Sequence, residues 1–140
     1  MIRVFHFATA VSPDPAVDAW FDARPGELGA IARGWFAHMR LCGTDVRELL
    51  HDGHPTACVG GAAFGYVNVF THHTNVGFFI GPELPDHAGI LRGTGKYMRH
   101  VKLRPGVPVD LFAVGALIAA SYRLMGAEVR ARQEGIGEVP

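Results

Sequence analysis

Residues 56–80 read TACVGGAAFGYVNVFTHHTNVGFFI, and this stretch decides the fold. Residues 56–59, 63–71 and 74–80 are rich in β-branched and aromatic side chains and are bounded by glycine, which predicts three strands. The links between them are hairpin-short, with one turn at His72-His73-Thr74-Asn75, so the strands are consecutive and antiparallel. Upstream, residues 46–50 read as a strand or a last helical turn, and His54-Pro55 reads as a break. Downstream, Gly81-Pro82 and Leu84-Pro85-Asp86 form a loop. Tyr97, Arg99, Val101 and Leu103 then alternate with Met98, His100, Lys102 and Arg104, which predicts a last strand ended by Pro105-Gly106.

Helical patterns flank this sheet. Ser12-Pro13-Asp14-Pro15 combines a capping residue with a first-turn proline and opens a short helix over 15–23. Pro25 and Gly26 interrupt it. Leu28, Ile31, Ala32, Trp35, Phe36 and Met39 recur at spacings of three and four, so a second helix spans 26–41, with Gly43 as a left-handed cap. Beyond the sheet, Leu111, Val114, Ile118, Tyr122, Met125 and Val129 share one face of a long helix. Asp110 lies in its first turn, and Gly135 is the expected stop. Residues 1–13 read as an extended arm with room for an extra strand. The order predicts an α+β two-layer sandwich, an antiparallel sheet with N- and C-terminal helices packed on one face. It forms one domain over 1–140, with a core over about 15–132.

Composition narrows the function classes. Of 140 residues 49% are apolar, too many for a disordered chain. Thirteen Lys and Arg balance thirteen Asp and Glu, which disfavours a wholly basic nucleic-acid binder and a strongly acidic metal sink. Cys42 and Cys58 form no CxxC pair and read as reduced thiols of a cytoplasmic protein. The first residues, MIRVFHFATA, are a poor signal peptide, and the apolar run over 111–120 is too short to cross a bilayer, so no membrane association is expected.

Charge is distributed unevenly. No Lys or Arg occurs between Glu48 and Leu91, and no Asp or Glu between His87 and Val109. Lys96, His100, Lys102 and Arg104 share one parity on the last strand and make a basic, solvent-facing row, with Tyr97, Val101 and Leu103 turned to the helices. Such a row either protects a sheet edge or binds an anionic ligand or protein partner. Phe64, Tyr66 and Phe70 share a parity on another strand. They would suit base stacking only if that face is open, and nucleic acid ranks below the other partners. Exposed aromatics there would also favour a homodimer.

Other constellations are weaker. Gly93-Thr94-Gly95-Lys96 lacks the upstream glycine and the following Ser or Thr of a phosphate loop and reads as a glycine turn. The pairs His51/His54 and His72/His73 lack HExxH or zinc-type spacing and read as polar turn residues. A general-base role for one of them has no orienting partner in the sequence. Ser12, Ser121, Cys42 and Cys58 sit in no nucleophile motif, so a non-enzymatic protein is expected. Asp14, Asp18 and Asp22 are spaced four apart and form a carboxylate row on the first helix, chemistry that collects hard cations weakly.

The segment Val46-Arg47-Glu48-Leu49-Leu50-His51-Asp52-Gly53-His54-Pro55-Thr56-Ala57 resembles the bacterial domain-of-unknown-function family numbered 1801, also called YdhG-like. So do Phe64-Gly65-Tyr66-Val67-Asn68-Val69, Asn75-Val76-Gly77-Phe78-Phe79, Leu91-Arg92-Gly93-Thr94-Gly95-Lys96 and Met98-Arg99-His100-Val101-Lys102-Leu103-Arg104. The resemblance covers roughly 15–130. It implies a frataxin-like sandwich and, since some such proteins are described as intracellular iron chaperones, weak iron binding. Asp14, Asp18, Asp22 and Glu27 would stand for the acidic ridge. The zero net charge and the basic last strand place a binding module for a protein or anionic ligand ahead of that iron role.

Overall fold

The computed structural model describes residues 2–138; Met1, Val139 and Pro140 of the expected domain lie outside the described residues. Helix α1 (Pro15–Asp22) starts where Asp14, in extended backbone, accepts a hydrogen bond from the Ala16 amide at 3.0 Å. It buries Val17, Trp20 and Phe21. Helix α2 (Glu27–Arg40) buries Ala32, Phe36 and Met39 along the expected stripe. Gly43 is not a left-handed cap. Leu41 ends the helix in right-handed backbone, and a Cβ on Gly43 would lie 2.0 Å from the Tyr122 hydroxyl, so glycine there makes room for that ring.

Five strands follow: β1 (Val46–His51), β2 (His54–Val59), β3 (Ala62–Val69), β4 (Thr74–Phe78) and β5 (Arg99–Leu103). They pair antiparallel in sequence order. The reversal between β1 and β2 comes at Asp52-Gly53, not at His54-Pro55. Both residues have positive φ, 50° and 79°, as a two-residue hairpin turn requires, and His54-Pro55 already belongs to β2. A short 3-10 turn, Gly81–Glu83, leads away from β4. Helix α3 (Leu111–Glu138) is capped by Asp110, whose carboxylate accepts from the Ala113 amide at 3.0 Å. It runs through Gly135 instead of stopping there.

All three helices pack on one face of the sheet, around Val17, Phe21, Phe36, Met39, Phe64, Val67, Val76, Phe78, Ile118 and Met125. The antiparallel α+β sandwich is therefore as expected. The segment Leu111–Gly135 is long and apolar enough to cross a membrane, a property missed by reading only the ten-residue run. The same helix buries Val114, Leu117, Ile118 and Met125 against the sheet, as the core helix of a globular domain does.

The other face of the sheet is half covered. The N-terminal arm makes isolated bridges, His6 to Ala62 and Val11 to Glu48, rather than a continuous strand. Phe5 and Phe7 pack there on Leu49, Cys58, Ala63 and Phe79, a second small core. The arm covers the β1–β3 side; on the β4–β5 side Gly77 lies buried under the Tyr66 ring, and Asn75, His100 and Lys102 are half-buried.

A β-bulge decides which aromatics reach that outer face. Ala57 pairs with Gly65 but Cys58 pairs with Ala63, so Phe64 is an extra residue on β3. Phe64 and Gly65 both turn to the helices: Phe64 is fully buried against Tyr122, and a Cβ on Gly65 would lie 3.0 Å from Met39. The Phe64 carbonyl accepts from the buried Ser121 hydroxyl at 2.6 Å. Tyr66 and Phe70 face outward. The expected common face of Phe64, Tyr66 and Phe70 is thus broken by one inserted residue.

Candidate functional site

The basic residues gather at the outer end of the sheet, with a changed membership. β5 begins at Arg99, so Lys96 lies in the preceding loop, its ammonium 5.5 Å from the Tyr97 ring centroid. Tyr97 does not join the helix-facing core; its ring meets Phe5 of the arm at 6.0 Å. Arg99 donates to the Gly95 and Met98 carbonyls, the latter at 2.8 Å, and so fastens the glycine turn. His100 and Lys102 stand opposite Gly77 and Asn75 of β4, and Arg104 follows just past the strand. Arg92, absent from the expected set, bridges to His100 through two backbone hydrogen bonds of 2.7 and 2.9 Å and joins the cluster.

His73, at the β3–β4 turn, completes this electropositive end, with its ring stacked on Phe70 at 4.7 Å. Partial desolvation and then the nearby Lys102, Arg104, His100 and His72 hold His73 below the usual histidine range. His100 is lowered likewise, by burial first and then by Lys102 and Arg92. Among the described residues, none of Arg92, Lys96, Lys102 and Arg104 has a carboxylate within ion-pair distance.

Beside this cluster the sheet carries a polar row across its strands. His51 pairs with His54, and Asn68 pairs with Asn75, which pairs with Lys102. Thr56 pairs with Tyr66, where the β2–β3 ladder ends, and His54 and Asn68 lie beyond that pair. His51, His54, Asn68 and Asn75 of this row floor an outer-face cleft of about 350 Å³, walled by Phe5, Tyr66, Phe70, Phe79 and Met98 and flanked by Asp52; Lys102 lies just outside its lining. The Tyr66 ring lies over Gly77, where a Cβ would come within 1.9 Å of it. It also lies 4.9 Å from the His54 ring and 5.7 Å from Phe79. Two atoms of this floor, His54 Nδ1 and Asn75 Oδ1, are buried without a hydrogen-bond partner. Buried orphans of this kind are rare in native proteins. From the sequence His54 reads only as a turn histidine or a general base, and Asn75 does not stand out; its one signal there is a polar side chain beside Val76.

His54 supplies a pH test. Burial lowers its pKa from 6.5, partly offset by the Asp52 backbone and then reinforced by His51. The unfolded chain therefore takes up its proton first, and stability present above pH 6.5 is lost as the pH falls toward the folded value. His54→Gln should flatten the decline of stability between about pH 7 and pH 5, measured by urea denaturation. Superimposable pH profiles for wild type and variant would contradict it.

The carboxylate row is otherwise engaged. Asp14 caps α1, Asp18 pairs with Arg40 at 3.0 Å, and Asp22 pairs with Arg33 at 3.2 Å. Among the described residues no group of three or more His, Cys, Asp or Glu side chains is placed to hold a metal ion. The thiols are not activated: burial pushes Cys58 up to about 12 and raises Cys42 as well.

No family model matches the chain, no curated protein matches it, and no solved structure matches it. The likeness to the YdhG-like family rests on the quoted residues alone.

Proposed function

We propose that this chain is a non-enzymatic binding module that offers the β4–β5 side of its outer sheet face, led by basic strand β5, to an anionic ligand or an acidic protein surface. One observation carries the reading. Arg92, Lys102 and Arg104, with His73 and His100, gather at one end of the sheet, and among the described residues none of the three basic side chains has a carboxylate within ion-pair distance. Surface protection alone asks for charge, but not for five cationic or titratable side chains from three segments around one spot. The frataxin-like class within the α+β sandwich belongs to the same proposal, on the strength of the family resemblance. A reducing, cytoplasmic setting suits the free Cys42 and Cys58.

Inorganic pyrophosphate is the first probe, titrated into isotope-labelled protein by amide NMR. Shifts should concentrate at His73, Arg92, His100 and Lys102. Combined Lys96→Glu, Lys102→Glu and Arg104→Glu substitution should weaken binding about tenfold or more. Unchanged affinity in the triple variant would remove the reading.

A further inference from the structure

We propose that the outer-face cleft is a binding site for a small planar aromatic acid that carries a ring N–H or O–H donor next to its carboxylate. The proposal rests on the reading of this face as a binding surface and names the ligand class. Size comes first. About 350 Å³ lies near the lower end of small-molecule pockets and suits a one- or two-ring compound. The walls set the shape. Phe5, Tyr66 and Phe79 present ring faces and edges to one another at 5.5 and 5.7 Å, with Met98 beside them, which suits a flat apolar body.

The floor sets the polar pattern. Asn75 Oδ1 can only accept, and it is buried with no donor. An occupant that brings a donor supplies the missing bond, and the broad terminal torsion of the asparagine lets the carboxamide turn toward it. His54 Nδ1, orphaned in the same floor, offers a second polar contact. The surroundings of the cleft differ in sign from one side to the other. Asp52, in its lining, lies by His51 at 3.3 Å, while Lys102, just outside the lining, is the cross-strand partner of Asn75 and has no carboxylate within ion-pair distance among the described residues. A carboxylate is therefore favoured beside Lys102, and the ring donor beside Asn75. Because Asn75 and Lys102 are cross-strand partners, the two groups must be neighbours on the ligand.

Indole-2-carboxylate has this pattern; 2-naphthoate lacks the donor and indole lacks the charge. Each is titrated by NMR into the full chain. Indole-2-carboxylate should shift Tyr66, Asn75 and Phe79 and bind about five- to tenfold more tightly than either control. Asn75→Leu should abolish its advantage over 2-naphthoate while melting at or above the wild-type temperature, since it removes a buried orphan. Lys102→Met, which keeps the half-buried aliphatic stem and removes the charge, should abolish the advantage over indole. Equal binding of the three compounds, no cleft shifts below about 10 mM, or an advantage that survives Asn75→Leu would each overturn the proposal. A pyrophosphate response without an indole-2-carboxylate response refutes the cleft and leaves the anion-binding face standing. Loss of both refutes both.

Discussion

Glu48→Ala should destabilise the protein by about 3–5 kcal/mol, one of the two largest effects expected of a single substitution here. Glu48 projects from edge strand β1 toward the helices and is only 3% exposed. Its carboxylate accepts two bonds of 2.7 Å from Arg40 Nε and Nη2, a bidentate pair, and a third of 3.3 Å from the Asp14 amide at the start of α1. Its backbone exchanges two bonds with Val11 of the arm. One side chain thus ties α1, α2 and β1 together at the point where the arm crosses. That hydrogen-bonded carboxylate is also the main reason Arg40 titrates above its ordinary value. Truncation strands a guanidinium whose side chain is 32% exposed, so it is partly desolvated with only Asp18 left to it. The Asp18 pair itself, 48% exposed on the carboxylate side, is worth about 1 kcal/mol or less. Urea denaturation of Glu48→Ala, Asp18→Asn and Arg40→Met checks this order. A loss below about 1 kcal/mol for Glu48→Ala would mean that the pair behaves as a surface ion pair.

The same network explains why the acidic row of α1 was easier to see than to interpret. Spacing of four shows that Asp14, Asp18 and Asp22 share a helix face. It does not show that Arg33 and Arg40, on the next helix, lie across from two of them, since that depends on how α1 and α2 pack. Local signals served well elsewhere. Asp14-Pro15 started a helix, the Leu28–Met39 stripe formed another, and four β-rich runs became β2 to β5 in the expected order. The Asp52-Gly53 turn was legible too, as a dipeptide that accepts positive φ, but the following proline was the louder signal and gave the wrong break. The outer-face site was the least legible part. His54 and Asn75 are 21 positions apart, and only the sheet register places them in one floor. The arm that closes one side of the cleft is held by two isolated bridges, a contact without periodicity to announce it.

Phe64→Ala should cost about 3–5 kcal/mol, whereas Tyr66→Ala should cost about 1–2 kcal/mol and act mainly on ligand binding. Strict alternation along β3 would give the two substitutions the same environment. The bulge separates them. Phe64 is fully buried in the helix-side core, edge-on to Tyr122 at 5.4 Å, and its removal leaves a void among α3, β2 and β4 that close packing cannot refill. Tyr66 is only partly buried, over Gly77 on the outer face, where water or the arm can occupy the space its ring leaves. Burial raises the Tyr66 phenol above its ordinary value, so it stays protonated at neutral pH and its ring serves as a wall of the cleft. Equilibrium denaturation of both variants, with indole-2-carboxylate titrated into Tyr66→Ala, tests the bulge and the cleft together. Equal destabilisation would place the two rings on one face, return β3 to unbroken alternation, and take from the outer face the aromatic wall on which the ligand reading depends.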